Sequence, residues 1–359
     1  MTDVPVEAID RSAMKMGRNA PSNKPALDAA EFVILDAVIP GYPTADGAPQ
    51  LTYPMDENDV WGDCVVAGAD HALQVVFALL GVSRVPWDKP TILSLYRTQN
   101  PDFDGVTTDA DGNLVGDNGM DIQTFLEFLV ANGNILGFAK VDPKNEALMR
   151  AATYIGLAVI TGETLQVAQQ SQKVWDYVPG SGTWGGHCTT TVGYQPTPDT
   201  ETCVTWGELV PQTQKFVQNQ VEEAWFIVTQ QHVDHPGFRD GFDLAGFAAA
   251  YTQITGKAFP IVVPPKPTPA PPVPPAPVPP VPAPPAPVPP APVPPAPVPP
   301  TPAPGPQPIV VTITEPALIR DLARVSGKAH LNVDDWLKKH LDHYFHTLVG
   351  ELEQKLEEV

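Results

Sequence analysis

An α+β fold is predicted for the central part of this sequence, from three observations. Segments with helical periodicity come first, segments rich in β-branched and aromatic residues come second, and the connections between the latter are short. A parallel crossover needs a dozen or more residues, so strands joined this closely pair as antiparallel hairpins, and a helical half packed on an antiparallel half is expected. The helical runs are 64–80, 90–97, 120–131 and 145–154; the strand-like runs are 156–161, 189–194, 202–206 and 224–229.

Four segments follow from composition. Residues 1–50 carry little periodicity and read as an N-terminal arm with one short strand at 32–38, and residues 51–263 as the globular domain. Of 45 prolines in 359 residues, most fall in 264–308, where PAPVPP repeats and missing amide hydrogens leave polyproline II. At about 3.1 Å per residue this spacer spans up to roughly 140 Å. Residues 309–359 read as a strand, a helix with Pro316 in its first turn and Gly327 past its end, and a longer helix. Its apolar stripe includes Trp336, Leu337, Leu341, Tyr344, Phe345 and Leu348. About 50 residues cannot bury such a face alone, so self-association through 309–359 is expected. The order strand, helix, turn, helix resembles a ribbon-helix-helix dimerisation unit without its basic strand residues.

The formal net charge is −20 and the pI about 4.6, which disfavours nucleic acid and anionic lipid as partners. The tail reinforces this, with six Lys or Arg against nine Asp or Glu in 315–359. No run approaches 18 apolar residues, so no membrane insertion is expected, and no Sec-type signal is read at the start. Three cysteines are an odd number and argue against a disulfide framework.

A cysteine nucleophile needs a stabilised thiolate, a base within reach, and donors for an oxyanion. Asn58-Asp-Val-Trp-Gly62-Asp63-Cys64 runs into an apolar helix closed by Gly81, putting Cys64 at a helix N-terminus, where the dipole favours the anion and a depressed thiol pKa is expected. Further on, Trp184-Gly-Gly-His187-Cys188 leads a strand ending Val192-Gly193-Tyr194, and Cys203-Val204-Thr205-Trp206-Gly207 follows.

These three motifs, in this order over about residues 53–230, resemble the papain-like cysteine peptidases, and the surroundings of Cys64 are similar also to peptidases that remove double-glycine leaders. The resemblance implies Cys64 as nucleophile, His187 as general base and acid, and Asn58 as the oxyanion side chain, with Gly62, Asp63, Thr205 and Trp206 lining the site. Asn58 stands where that family has Gln. Val204 stands where it has the Asn that orients the imidazole, so the third group is open among Thr205, Asp63 and Glu223.

The other candidates have plainer readings. Cys188 and Cys203 read as reduced core residues, His71 as a structural histidine, and His232 and His235 with Asp234 as a surface loop. His340, His343 and His346 read as one helix face. Asp102, Asp104, Asp109 and Asp111 with Gly105 and Gly112 miss the spacing of a calcium loop and read as a solvated acidic loop. Neither a metal nor a cofactor is expected.

Two functions remain. One is a thiol peptidase acting on a peptide or isopeptide bond, with a peptidoglycan stem peptide or a protein precursor as substrate. The short Gly-Asp-Cys start also resembles proteins of actinobacterial phages, which implies host cytoplasm and then a virion or other surface assembly. The other is a papain-like fold that has lost its orienting residue and serves as a structural or attachment protein.

Overall fold

The computed structural model describes residues 9–22, 24–34, 51–196 and 198–261. The proline-rich spacer and the 309–359 unit, with its apolar stripe and three histidines, lie outside them.

The α+β expectation holds. Helices α1 (Cys64–Leu79), α2 (Lys89–Tyr96) and α3 (Ile122–Ala131) come first; then β1 (Gly137–Val141), α4 (Glu146–Gly156), β2 (Val159–Gln166), β3 (Thr183–Pro196), β4 (Asp199–Thr205), β5 (Glu208–Thr213), α5 (Gln214–Gln220) and β6 (Val221–Val228). Three short helices follow: α6 (Gln230–Asp234), α7 (Pro236–Gly241) and α8 (Leu244–Thr255). The strands form one six-stranded sheet in the order β1-β6-β2-β3-β4-β5, antiparallel throughout.

Both faces of this sheet are covered. On one, Ile160, Cys188, Val192, Val204, Trp225 and Ile227 join the apolar side of α1 and α3. On the other, Val159, Ala224, Phe226 and Val228 meet α4 and the phenylalanines Phe238, Phe242 and Phe247. Double coverage explains why residues 224–228 of β6 read as an unbroken apolar run rather than an alternating one. Helix α1 approaches β3 closely because Gly68 has no side chain: a Cβ there would lie 3.0 Å from Cys188 Sγ. Thr190 Oγ1 donates to the Gly68 carbonyl at 2.6 Å, tying the two halves together.

Several local expectations are corrected. The strand at 32–38 is absent from its described part: Ala29–Glu31 is a 3-10 turn capped by Asp28, and Val33 makes a single bridge to Phe242. Residues 9–34 are packed on the body, with Arg11, Arg18, Leu27, Ala29, Phe32 and Val33 buried. Gly156 ends α4 instead of opening a strand, because Leu157 adopts a left-handed φ of 64° and stops the helix. His232 lies in α6 and is fully buried, since Thr229 caps the helix and the imidazole reaches the Gly156 carbonyl at 3.0 Å.

Candidate active site

Cys64 is the first residue of α1. Its N-cap, Asp63, makes no side-chain cap bond, so the first-turn amides are not claimed by that carboxylate. Asp63 is completely buried and without a hydrogen-bond partner, and burial, followed by the nearby Asp56, pushes its carboxyl well above the ordinary value. Gly62 is fixed from outside: its N–H donates to Asp117 Oδ1 at 2.9 Å, the same oxygen that accepts from the Tyr96 hydroxyl at 2.5 Å.

Asn58 is presented by a tight loop in which Asp56 and Glu57 both have left-handed φ, 56° and 65°. The N–H groups of Val60 and Trp61 fold back on the Glu57 carbonyl. Asn58 is buried, and its Oδ1 has no partner.

His187 opens the buried part of β3. Its Nε2 pairs with Thr205 Oγ1 at 2.7 Å, while Nδ1 is buried and without a hydrogen-bond partner among the described residues. The ring stacks on Trp206 with centroids 4.2 Å apart. The indole gets there by an unusual backbone: Trp206 has φ 45° and Gly207 φ 76°, so these two residues form a two-residue hairpin loop with both φ positive, and Thr205 pairs with Glu208 beneath it. Such loops match the twist of the flanking strands but are strained for a bulky residue. The turn thus sets Thr205 under one ring nitrogen and Trp206 over the ring face. Of the three candidates for the third group, Thr205 is the one in contact; Glu223 and Asp63 are engaged or enclosed elsewhere, and Val204 is core.

Cys64 is completely buried, and the backbone of Cys188 and of Gly17 acts on its thiol in the direction that favours the thiolate. The Gly17 contact comes from the arm, which had no assigned role in the sequence. Residues 16–19 run past Gly186 on one side and Met120 on the other, with a single bridge between Arg18 and Met120. Gly17 and Arg18 N–H both donate to the Gly186 carbonyl, at 3.1 and 3.0 Å; Met120 N–H donates to Gly17 O at 2.7 Å, and Asn19 N–H to Met120 O at 2.8 Å.

This cover reverses one expectation. The thiol was expected below its ordinary pKa, but complete burial pushes it up to about 12, and only the backbone of Cys188 and of Gly17 and the charge of Arg18 pull against that. Burial, assisted by the Arg18 cation, brings His187 down to about 3. The pair in this form is a neutral thiol and a neutral imidazole. The helix dipole is present, but complete burial removes the water that would help carry the charge.

The remaining cysteines, Cys188 and Cys203, are buried and reduced, in line with their reading as core residues. His71 is also buried, pairing with the Pro54 carbonyl at 2.9 Å. In the acidic loop, Asp104 and Asp109 accept backbone N–H groups of their own turns. Among the described residues no cluster of His, Cys, Asp or Glu suits a metal ion, and no helix is long and apolar enough to cross a membrane.

With this geometry established, solved structures supply a comparison. The chain is similar to cysteine proteases. Xylellain from Xylella fastidiosa matches over 60% of this chain and 97% of its own, at 14% identity and TM-score 0.47. The ragweed pollen cysteine protease Amb a 11, in its proform, matches over 58% and 72% at 15% identity and TM-score 0.42. Bromelain from Ananas comosus, bound to E64, matches over 54% and 100% at 13% identity and TM-score 0.39. No protein-family model matches the sequence, and no curated protein matches it.

Sequence reasoning missed Arg18 and Glu163, and it offered Glu223 only as a partner for the imidazole, not for Arg18. All three are buried ionisable residues, and a linear pattern says nothing about which charges a fold encloses.

Proposed function

We propose that this chain is a thiol peptidase whose cleft, in the form described here, is filled by its own residues 16–19. The observation that carries the reading is His187: one ring nitrogen is fixed by Thr205, and the other is buried and without a hydrogen-bond partner among the described residues, one residue from the Cys188 backbone that acts on the Cys64 thiol. A base held in a single orientation and a nucleophile at a helix start are two of the parts that acyl transfer by a thiol requires.

With the arm withdrawn, His187 takes the Cys64 proton and the thiolate attacks the scissile carbonyl carbon. The resulting oxyanion is met by the Cys64 N–H and the Asn58 amide. The imidazolium then returns its proton to the leaving amine, leaving a thioester that water, deprotonated by His187, hydrolyses to the acid and free thiol. Thr205 replaces the missing Asn as the group that orients the ring. The proposed substrates are peptide or isopeptide bonds of a peptidoglycan stem peptide or a protein precursor. The proline-rich spacer would hold the domain away from a self-associated 309–359 unit, in a virion or other surface assembly.

The test is site-specific alkylation of the full chain by iodoacetamide and by E64 as a function of pH, with Cys64→Ala and His187→Ala beside the wild type. Reaction at Cys64 that rises with pH and falls in His187→Ala supports the proposal. Faster labelling of Cys188 or Cys203 in the native protein would sink it.

A structural or attachment role is the second reading. It is favoured by Val204 in place of the orienting Asn and by a thiol raised to about 12. A chain whose Cys64 stays unreactive after the arm is displaced would have that role.

A further inference from the structure

The Arg18 side chain enters a pocket built on the sheet. Its aliphatic stem lies over Gly162, where a Cβ would come within 2.6 Å of Arg18 Cδ and 2.8 Å of Glu223 Cγ. Its Nη1 donates to Glu223 Oε1 at 2.9 Å; its Nη2 donates to Glu222 Oε2 at 2.5 Å and lies 3.5 Å from Thr164 Oγ1. Glu223 is 1% exposed, and its other oxygen accepts from Trp225 Nε1 at 2.8 Å. One carboxylate oxygen is thus locked by the indole and the other is left for the incoming cation.

The backbone beside the pocket is equally specific. Gly186 O receives two N–H groups of the arm, and a Cβ on Gly186 would lie 2.2 Å from Arg18 O, so no side chain is tolerated where the peptide passes. Met120 forms the opposite rail with its own N–H and C=O. Together these make a peptide-binding groove with one charged side pocket, and nothing in it is particular to residue 18 beyond its backbone polar groups and a guanidinium.

We infer that this groove is the substrate cleft and that Glu223, with Glu222 and Thr164 over Gly162, selects peptides carrying a basic side chain, Arg above Lys, next to a glycine-sized residue. The inference rests on the thiol-peptidase reading. When the arm leaves, Glu223 loses its cationic partner while its other oxygen stays with Trp225, and a substrate cation restores the pairing that an apolar side chain cannot. Two carboxylates meeting different guanidinium nitrogens favour the planar fork of Arg over the single ammonium of Lys. The acidic chain, at −20, attracts basic peptides over longer distances as well.

The experiment uses the full chain and compares Cys64 labelling by iodoacetamide with labelling by peptidyl acyloxymethyl ketones that differ only in Arg or Leu, scanned over three positions. The Arg:Leu rate ratio is first measured on the wild type, where arm opening is common to both probes and cancels. It is then measured on Arg18→Ala and Arg18→Ala/Glu223→Gln. At one position Arg should be favoured by roughly tenfold or more, and the preference should vanish with Glu223→Gln. Ethylguanidinium should raise the melting temperature of Arg18→Ala and leave the double variant unchanged. A ratio near one at every position, with iodoacetamide still reacting at Cys64, overturns the basic pocket and leaves the peptidase reading standing. No reaction at Cys64 with any reagent, even in Arg18→Ala, overturns both.

Discussion

Gly17 stands so close to Gly62 that a Cβ on Gly17 would lie 1.8 Å from the Gly62 carbonyl oxygen. Backbone passes over backbone there, immediately before the cysteine that opens α1. The contact tolerates no side chain on the arm, so Gly17→Ala must lift residues 16–19 from the cleft. Alkylation of Cys64 by iodoacetamide at pH 8 should accelerate by about tenfold or more, since that factor needs only about 1.4 kcal/mol and a backbone clash exceeds it. An unchanged rate would mean that the arm does not control access to the thiol.

Thr205 Oγ1 is the hydrogen-bond partner of His187 Nε2 among the described residues, at 2.7 Å. Thr205→Val leaves a buried imidazole nitrogen unsatisfied, which destabilises the fold by about 1–3 kcal/mol. In an arm-released background it should also slow thioester formation by roughly one to three orders of magnitude, as loss of an orienting group does. Thr205→Ser keeps the oxygen and should restore most of both. If Val and Ser variants acylate alike, the hydroxyl does not orient the ring.

Stability should decline as pH rises from about 6.5 to about 8. Burial raises Glu163 and Asp56 to about 8 and Glu201 to about 7, against ordinary values of 4.5, 3.8 and 4.5. The folded chain therefore binds more protons than the unfolded chain between those limits, and the associated stability, complete below pH 4, is lost as pH climbs through 7 and 8. His187 and His232 act oppositely: burial lowers them to about 3 and about 4 from 6.5, so their contribution is complete above 6.5 and lost as pH falls. Above 6.5 only the carboxyls act. Urea midpoints from pH 6.5 to 8 should fall in the wild type and fall less steeply in Glu163→Gln; identical slopes would rule out the buried acid as a cause.

Gly68→Ala brings a methyl group to 3.0 Å from Cys188 Sγ, at the closest approach of α1 to β3. Overpacking of this kind costs about 1–3 kcal/mol. Cys188→Ala removes the obstructing atom, so the double variant should be more stable than the sum of the single effects implies. Simple additivity would place the strain elsewhere.

What was legible in the sequence, and what was not, divides along physical lines. Helices α1 and α3 announced themselves by apolar runs bounded by turn residues, and Cys64 by its place at the head of α1; His187, expected to open a strand, lies inside β3, because the lead-in from Thr183 already pairs with β2. Strands β1 and β5 were missed: GFAKV is five residues long, and β5 contains Pro211, which argues against a strand but sits on an edge where a missing N–H is tolerated. The lowered thiol pKa was expected from the helix dipole alone, which is a local property. The opposing desolvation comes from the complete burial of Cys64 in the assembled fold, which a local pattern does not report. Arg18 and Glu223, 205 residues apart, become partners only when the arm and β6 reach the same edge of the cleft.

The attachment of the arm at successive points also gives the molecule a mechanical polarity. Arg11 holds to Glu208 and the Gln170 carbonyl, Gly17 to Asn19 hold to Gly186 and Met120, Ser22 to Asp121, and Phe32 packs against Phe242 and Phe247. Tension applied at residue 9 loads these anchors one after another, like a zipper, whereas the strands of the sheet share any load laterally among their neighbours. A pull from that end should therefore bare the thiol at forces well below those that rupture the domain. In an optical trap this would register as a small early extension step, accompanied by Cys64 labelling, ahead of the main unfolding event; a single step with no earlier labelling would show that arm and body yield as one.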